Sequence, residues 1–213
     1  GLLGTGHHYY YIGVNKIWLI VGGIFSALEP LAFLAMALFA VYMYRKGEKS
    51  HPNKIALFWT IGASIVSFIG AGLLGFAHTL PQTNIYTHGT LVTAMHGHYA
   101  FWGAYAMIVL AIISYALPNI TGRKLYDSTR GHMAFWLSNI GMLGMTVAFG
   151  VAGVAQVYME RKMKMDFMDV QNEISIHFVV LLLCATLFTI GITLYILEFI
   201  KYGKPTDEAL VKE

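Results

Sequence analysis

Two histidines flank a single glycine at His96-Gly97-His98, inside a stretch, residues 55–122, that holds no Lys, Arg, Asp or Glu. Ionisable groups in so apolar a setting are uncommon and tend to mark function. Positions two apart on a helix project roughly 200° from each other, so the two imidazoles face opposite ways. They do not readily share one metal ion. Each can hold a separate prosthetic group, one per face, and Gly97 gives a large planar ring room to approach the backbone. The plainer alternative is a pair of polar side chains packed against neighbouring helices. A second pair, His7-His8, is adjacent in sequence, so both rings can converge on one ion. Neutral imidazoles suit Fe, Cu or Zn rather than Mg or Ca. With Tyr9, Tyr10 and Tyr11 beside them, they would equally suit an aromatic belt at a membrane surface.

Glu29 is the one acid in its apolar run, about 12 residues in and so roughly 18 Å along a helix axis. A bare carboxylate there costs several kcal/mol, so it is protonated, paired or beside water. Pro30 follows and frees a backbone carbonyl nearby. Handling protons is one use for such a group; a structural hydrogen bond is the other. The remaining histidines read more simply. His51 is solvated in a basic loop, His78 and His132 fall at helix ends as interfacial groups, and His177 opens the last apolar run.

The elements that must position these side chains follow from composition. Of 213 residues, 57% are hydrophobic and 12% charged, and the mean hydropathy is +0.60. An ordinary soluble domain carries about a quarter charged residues, so a water-soluble globule, a disordered chain and a polar-faced solenoid are all excluded. A net charge of +3 is too small and dispersed for a nucleic-acid footprint. The single cysteine, Cys184, can form no internal disulfide.

A membrane helix needs about 20 apolar residues. Five segments qualify, near 17–44, 55–77, 91–117, 131–159 and 174–197, within a single membrane domain over 1–213. Their length, and the lack of short alternating segments, favour helices over a barrel. Arg45, Lys46, Lys49, Lys54, Arg123, Lys124, Arg130, Lys201, Lys204 and Lys212 fall on one side of the spans; Lys16, Arg161, Lys162 and Lys164 fall on the other. The positive-inside rule makes the first side cytoplasmic, with the C-terminus there and His7, His8, His88, His96 and His98 toward the outer half. Residues 1–13 are too few to span, yet glycine-rich and aromatic, like the end of an earlier helix and its exit loop. The expectation is a chain that begins inside a longer protein, or one whose missing helices come from a partner chain.

Some patterns are decoys. Gly70-Ala71-Gly72-Leu73-Leu74-Gly75 fits G-x-G-x-x-G, but it lies inside a span and position 95 is methionine, where a dinucleotide site would need an acid. Close helix packing by small residues explains it better. Asn119-Ile120-Thr121 falls on the cytoplasmic side, where glycosylation does not occur, and the eleven methionines read as filler. Neither a P-loop, H-E-x-x-H nor a CxxC pair is present, and no internal repeat suggests a transporter.

Thr87-His88-Gly89-Thr90 and Met95-His96-Gly97-His98-Tyr99-Ala100-Phe101 resemble the tenth-helix signature of the catalytic subunits of the haem-copper oxidase superfamily. There, three histidines fall at a spacing of eight and then two, and positions 88, 96 and 98 reproduce it. Gly4-Thr5-Gly6-His7-His8-Tyr9-Tyr10 and Ala27-Leu28-Glu29-Pro30-Leu31 are similar to the large catalytic chains of bacterial nitric oxide reductases rather than to oxygen reductases. The likeness covers essentially the whole chain. It implies an all-α integral membrane protein: the last five helices, plus the end of one more, of a bundle of twelve or more.

The resemblance also implies roles. His96 would be the proximal ligand of a high-spin active-site haem b, and His98 one axial ligand of a low-spin haem b that transfers electrons. His7 and His8 would be two of three histidines on a non-haem iron, His88 would lie near haem propionates, and Glu29 would help deliver protons near the iron. The third iron histidine, a companion glutamate and the second low-spin ligand would belong to helices before Gly1. The implied reaction is reduction of nitric oxide to nitrous oxide and water, as in denitrification, in a bacterial inner membrane. A cytochrome c-type subunit or quinol would donate electrons, with lipid around the bundle and no nucleic acid partner. The alternatives are an oxygen reductase with copper beside the haem, a relative that dismutates nitric oxide, and a non-catalytic haem-carrying electron-transfer subunit. The last would have no use for His7 and His8 together.

Overall fold

Apolar runs this long must satisfy their own backbone hydrogen bonds where no water reaches, and a helix does so within one segment. The computed structural model describes residues 2–47, 52–122 and 128–201 and, among them, contains no strand. Among the described residues five helices are long and apolar enough to cross a membrane: Lys16–Lys46, Lys54–Thr79, Leu91–Thr121, Thr129–Met163 and Ser175–Ile200, the first to fifth spans below. A 3-10 helix, Leu2–Tyr9, precedes them. Short helices Pro81–Thr87 and Phe167–Glu173 lie before the third and fifth. The protein is a multi-pass membrane protein. His51, Lys49, Arg123, Lys124, Lys204 and Lys212 lie outside the described residues.

Local chemistry sets the ends of the spans. Asn53 starts the second: its Oδ1 accepts from the Ala56 amide, while its Nδ2 donates to the Ser114 carbonyl of the third. Ser128 accepts from the Gly131 amide at the head of the fourth, and Gly122, at φ +66°, closes the third in the left-handed region that glycine tolerates. The third span has no side-chain cap of its own. Gln156 of the fourth supplies it instead, accepting from the Leu91 amide and donating to Glu160. The first span breaks at Leu28 between the helices Lys16–Ala27 and Glu29–Lys46, with Pro30 in the first turn of the second piece.

Lipid is as apolar as leucine, so helices in it are held by close approach and by polar bonds rather than by hydrophobic transfer. A Cβ on Gly103 would meet the backbone of Val66 and Ser67; one on Gly153 would meet that of Leu91 and Val92; one on Gly141, that of Cys184 and Phe188. Spans two to five thus touch backbone to backbone. Between them lies an aromatic core in which Trp59, wholly buried, meets Trp102, Phe135 and Tyr195 edge-on. Trp102 donates to Asn139 Oδ1 at 3.1 Å, and the Tyr195 hydroxyl donates to the Leu110 carbonyl at 2.8 Å. The first span is the least covered, with only 6% of its most apolar window buried.

Candidate functional site

The second span carries a π-helical segment, Phe68–Leu74, and such single wide turns recur at functional sites. A Cβ on Gly70 would strike the backbone of Tyr99 and Ala100, so the second and third spans meet here at main-chain distance. That approach brings the Gly70 carbonyl within 3.0 Å of His96 Nδ1. A carbonyl only accepts, so Nδ1 carries the hydrogen and Nε2 keeps the lone pair. This is the arrangement that prepares an imidazole to bind metal. A Cβ on Gly75 would stand 3.3 Å from His96 Cε1, and one on Gly72 would touch Pro30 and Phe33 of the first span. Each glycine of the apparent nucleotide motif therefore makes room for a helix or for the His96 ring.

His98 projects elsewhere. Its Nδ1 donates to the Ala94 carbonyl at 2.8 Å, its ring stacks on Phe149 of the fourth span at 5.0 Å, and it is exposed. The two histidines thus approach different neighbours, and a Cβ added to the Gly97 between them would meet nothing within 4 Å. Nε2 lone pairs that approach different neighbours, with open space at the Gly97 between them, fit two residues that would each hold a haem through its iron.

The His7-His8 turn rests on the first span at two glycines. A Cβ on Gly6 would collide with the Gly22 backbone and the Trp18 carbonyl, and one on Gly22 would collide with Gly6. His7 Nδ1 lies 2.5 Å from Ser26 Oγ, and the His7 and His8 rings sit 4.0 Å apart, tilted by 36°. Glu29 is half-buried one turn beyond Ser26, at the break in the span. His7, His8 and His78 all lie within electrostatic reach of His96. Among the described residues no three His, Cys, Asp or Glu side chains gather to hold a metal ion, so His7 and His8 would need further ligands to close a site.

Beyond the turn, Tyr10 donates to the Thr79 carbonyl and Tyr11 donates to Asn84 Oδ1 at 2.9 Å. Asn84 Nδ2 donates in turn to the His78 carbonyl at 2.7 Å. Burial, and then the neighbouring Tyr11 phenol, push the Tyr10 hydroxyl above the usual tyrosine range, so it remains a donor. His88 is exposed, its ring lies 4.1 Å from that of Tyr11 at a tilt of 32°, and its carbonyl accepts from Arg161. It stands at the rim of the His7-His8 turn rather than beside His96.

His78 is a correction to the sequence reading. It falls at the end of the second span, as expected, but is buried against protein, at 7% exposure, and stacks on His96 with centroids 4.8 Å apart, rather than standing as a simple interfacial group. The signal was available: positions 70, 74 and 78 recur every four residues and share one helix face, which Gly70 turns toward the third span. Sequence reasoning also passed over Ser26, Asn84 and Gln156, whose partners lie far away in the chain.

Residues 1–187 match the family described as cytochrome c and quinol oxidase polypeptide I. The chain is 43% identical over 212 residues to a nitric oxide reductase subunit of Stutzerimonas stutzeri, an alignment covering 96% of this chain and 45% of that protein. The chain therefore spans about half the length of that relative.

Proposed function

The chain belongs to the cytochrome c and quinol oxidase polypeptide I family, and from that premise we propose that it forms the C-terminal half of a membrane nitric oxide reductase. The reaction is 2 NO + 2 H⁺ + 2 e⁻ → N₂O + H₂O. One observation carries the reading: the Gly70 carbonyl holds the hydrogen on His96 Nδ1 and leaves Nε2 for a metal, while the adjacent His7 and His8 rings stand 4.0 Å apart against the first span. The identity to a protein named as part of a nitric oxide reductase supports it over oxygen reduction.

His96 would hold the active-site haem b, His98 a low-spin haem b, and His7 with His8 a non-haem iron. When bound, these groups supply electron transfer and a pair of metals that take up nitric oxide. The rest falls to the chain. The Gly70 carbonyl keeps Nδ1 of His96 protonated and so aims Nε2 outward. Ser26 orients His7, and the contact of Gly6 with Gly22 fixes the height of the His7-His8 turn. Glu29, one turn from Ser26, would hold a proton for the oxygen that leaves as water. His88, packed on Tyr11, would order the rim near the haem propionates. The apolar bundle concentrates a nonpolar gas and excludes bulk water.

The site would sit in the outer half of a bacterial inner membrane. The third iron histidine, its companion glutamate, the second low-spin ligand and the electron donor (a cytochrome c-type subunit or quinol) would come from outside this chain segment. The test uses the full-length protein. Expected are three irons per molecule, no copper, and nitrous oxide appearing as nitric oxide is consumed. Copper in place of the third iron, with turnover of oxygen alone, would overturn the proposal.

A further inference from the structure

His78 has no part in the reaction proposed above, yet among the described residues it is the one histidine that is buried. Its Nδ1 donates to the Leu74 carbonyl at 2.9 Å. Its Nε2 is shielded from solvent and, among the described residues, has no hydrogen-bond partner. Leaving such an atom bare carries a desolvation cost, and native structures leave few of them without a reason. The residue is also fixed from its backbone side: its carbonyl accepts from Asn84, and the next carbonyl, of Thr79, accepts from Tyr10.

The rings of His78 and His96 are nearly parallel, 23° apart. Their Nδ1 atoms are held by the Leu74 and Gly70 carbonyls, one turn apart on the same span. Both Nδ1 atoms are thus committed to carbonyls of one span, which leaves each Nε2 as the nitrogen open to another partner. Two imidazoles held side by side in this way cannot lie trans to each other across one iron. A macrocycle bound through His96 therefore has no axial place for His78. Apart from its metal and the nitrogens around it, a haem of the b type carries polar atoms only on its two propionic acid arms.

We infer that His78 Nε2 hydrogen-bonds a propionate of the macrocycle that His96 holds, which makes His78 a positioning residue for that group. One proton lies between Nε2 and the acid oxygen, while the Nδ1 hydrogen stays on Leu74. The inference rests on the reading of His96 as a haem ligand.

The test uses full-length protein carrying haem labelled with ¹³C at the propionate carboxyls, read by reduced-minus-oxidised infrared difference spectroscopy. His78→Met fills the space without a donor; His78→Gln fills it and keeps one. His78→Met is expected to shift the label-sensitive carboxyl bands and to weaken retention of the high-spin haem by roughly tenfold to a hundredfold. His78→Gln should return both toward the parent protein, with the low-spin haem bands constant throughout. Loss of the high-spin haem from His78→Met with retention in His78→Gln supports the same conclusion. Equal behaviour of the two variants, including carboxyl bands identical to the parent's, overturns it and assigns the partner to another part of the bundle. A parent protein without haem would instead overturn the reading of His96, before His78 is changed.

Discussion

The hydrogen that His96 gives to Gly70 decides which of its two nitrogens can reach a metal. The bond itself contributes only about 1 kcal/mol, but the other tautomer would set a lone pair against the carbonyl, so the choice is firm. Replacing His96 with alanine should abolish the high-spin haem spectrum and leave the low-spin bands largely intact, because His98 turns toward Phe149 and the outside. Optical spectra of the purified variant decide this, and loss of both signals or of neither would contradict the separate placement of the two rings. Glu29 gives a different signature. Glu29→Gln keeps shape and polarity but removes the exchangeable proton, so turnover should fall at least about tenfold, as for the loss of a positioned proton carrier, while iron content is unchanged. Normal turnover would return Glu29 to a structural role at the Leu28 break. Tyr10 adds a pH dependence. Its ionisation is displaced upward, so the native state favours the neutral phenol. The stabilisation from its bond to Thr79 is complete below the ordinary tyrosine value of about 10 and is lost as pH rises through the raised one. Tyr10→Phe should therefore cost about 1 kcal/mol at neutral pH and nothing in strong alkali, as thermal unfolding at the two pH values would reveal.

At the scale of elements, the site depends on two places where backbones touch. One is Gly70 against Tyr99 and Ala100; the other is Gly6 against Gly22. At the second, no side chain can be accommodated by a rotamer change, because main-chain atoms meet main-chain atoms. Gly22→Val should lift the 3-10 turn off the first span, so that non-haem iron is lost while both haems persist, which metal analysis against the haem spectrum would show. Asn84→Leu acts on the same turn from the other end, by cutting the link from Tyr11 to the His78 carbonyl. It should weaken iron retention by roughly tenfold, the usual scale for an outer partner of a ligand. These contacts also explain what the sequence could not disclose. The His96-Gly97-His98 pattern and the glycines at 70, 72 and 75 are legible because their meaning lies within one helix: opposite faces, or a small-residue face. Tyr11 and Asn84 are 73 residues apart, and His7 and Ser26 are 19 apart. Nothing local marks such pairs as partners. His78 fell between these cases, since its periodicity was visible but its burial depended on how closely Gly70 lets the third span approach.

For the whole molecule, the spans were legible because a lipid-facing helix must stay apolar for its full length, a constraint no tertiary contact can override. Charge placement is the second constraint of that scale, and it makes orientation testable. Lys54 begins the second span, and Lys162 lies at the end of the fourth, in the π-helical segment Tyr158–Met163. One end leads into the strongly basic connectors, the other into the sparsely basic ones, so the two should emerge on opposite sides, with Lys54 cytoplasmic. Cysteines introduced singly at these positions can be labelled in right-side-out vesicles with a membrane-impermeant maleimide. Lys162→Cys should react at once and Lys54→Cys only after permeabilisation, while native Cys184, inside the fifth span and packed where Gly144 faces it, should stay unlabelled in both. This outcome would set the His7-His8 turn, through Tyr11, His88 and Arg161, on the outer face together with Lys162. Protons for Glu29 would then have a short path from that face. The reverse labelling would move the whole site to the cytoplasmic half, and a proton supply from the inside would follow.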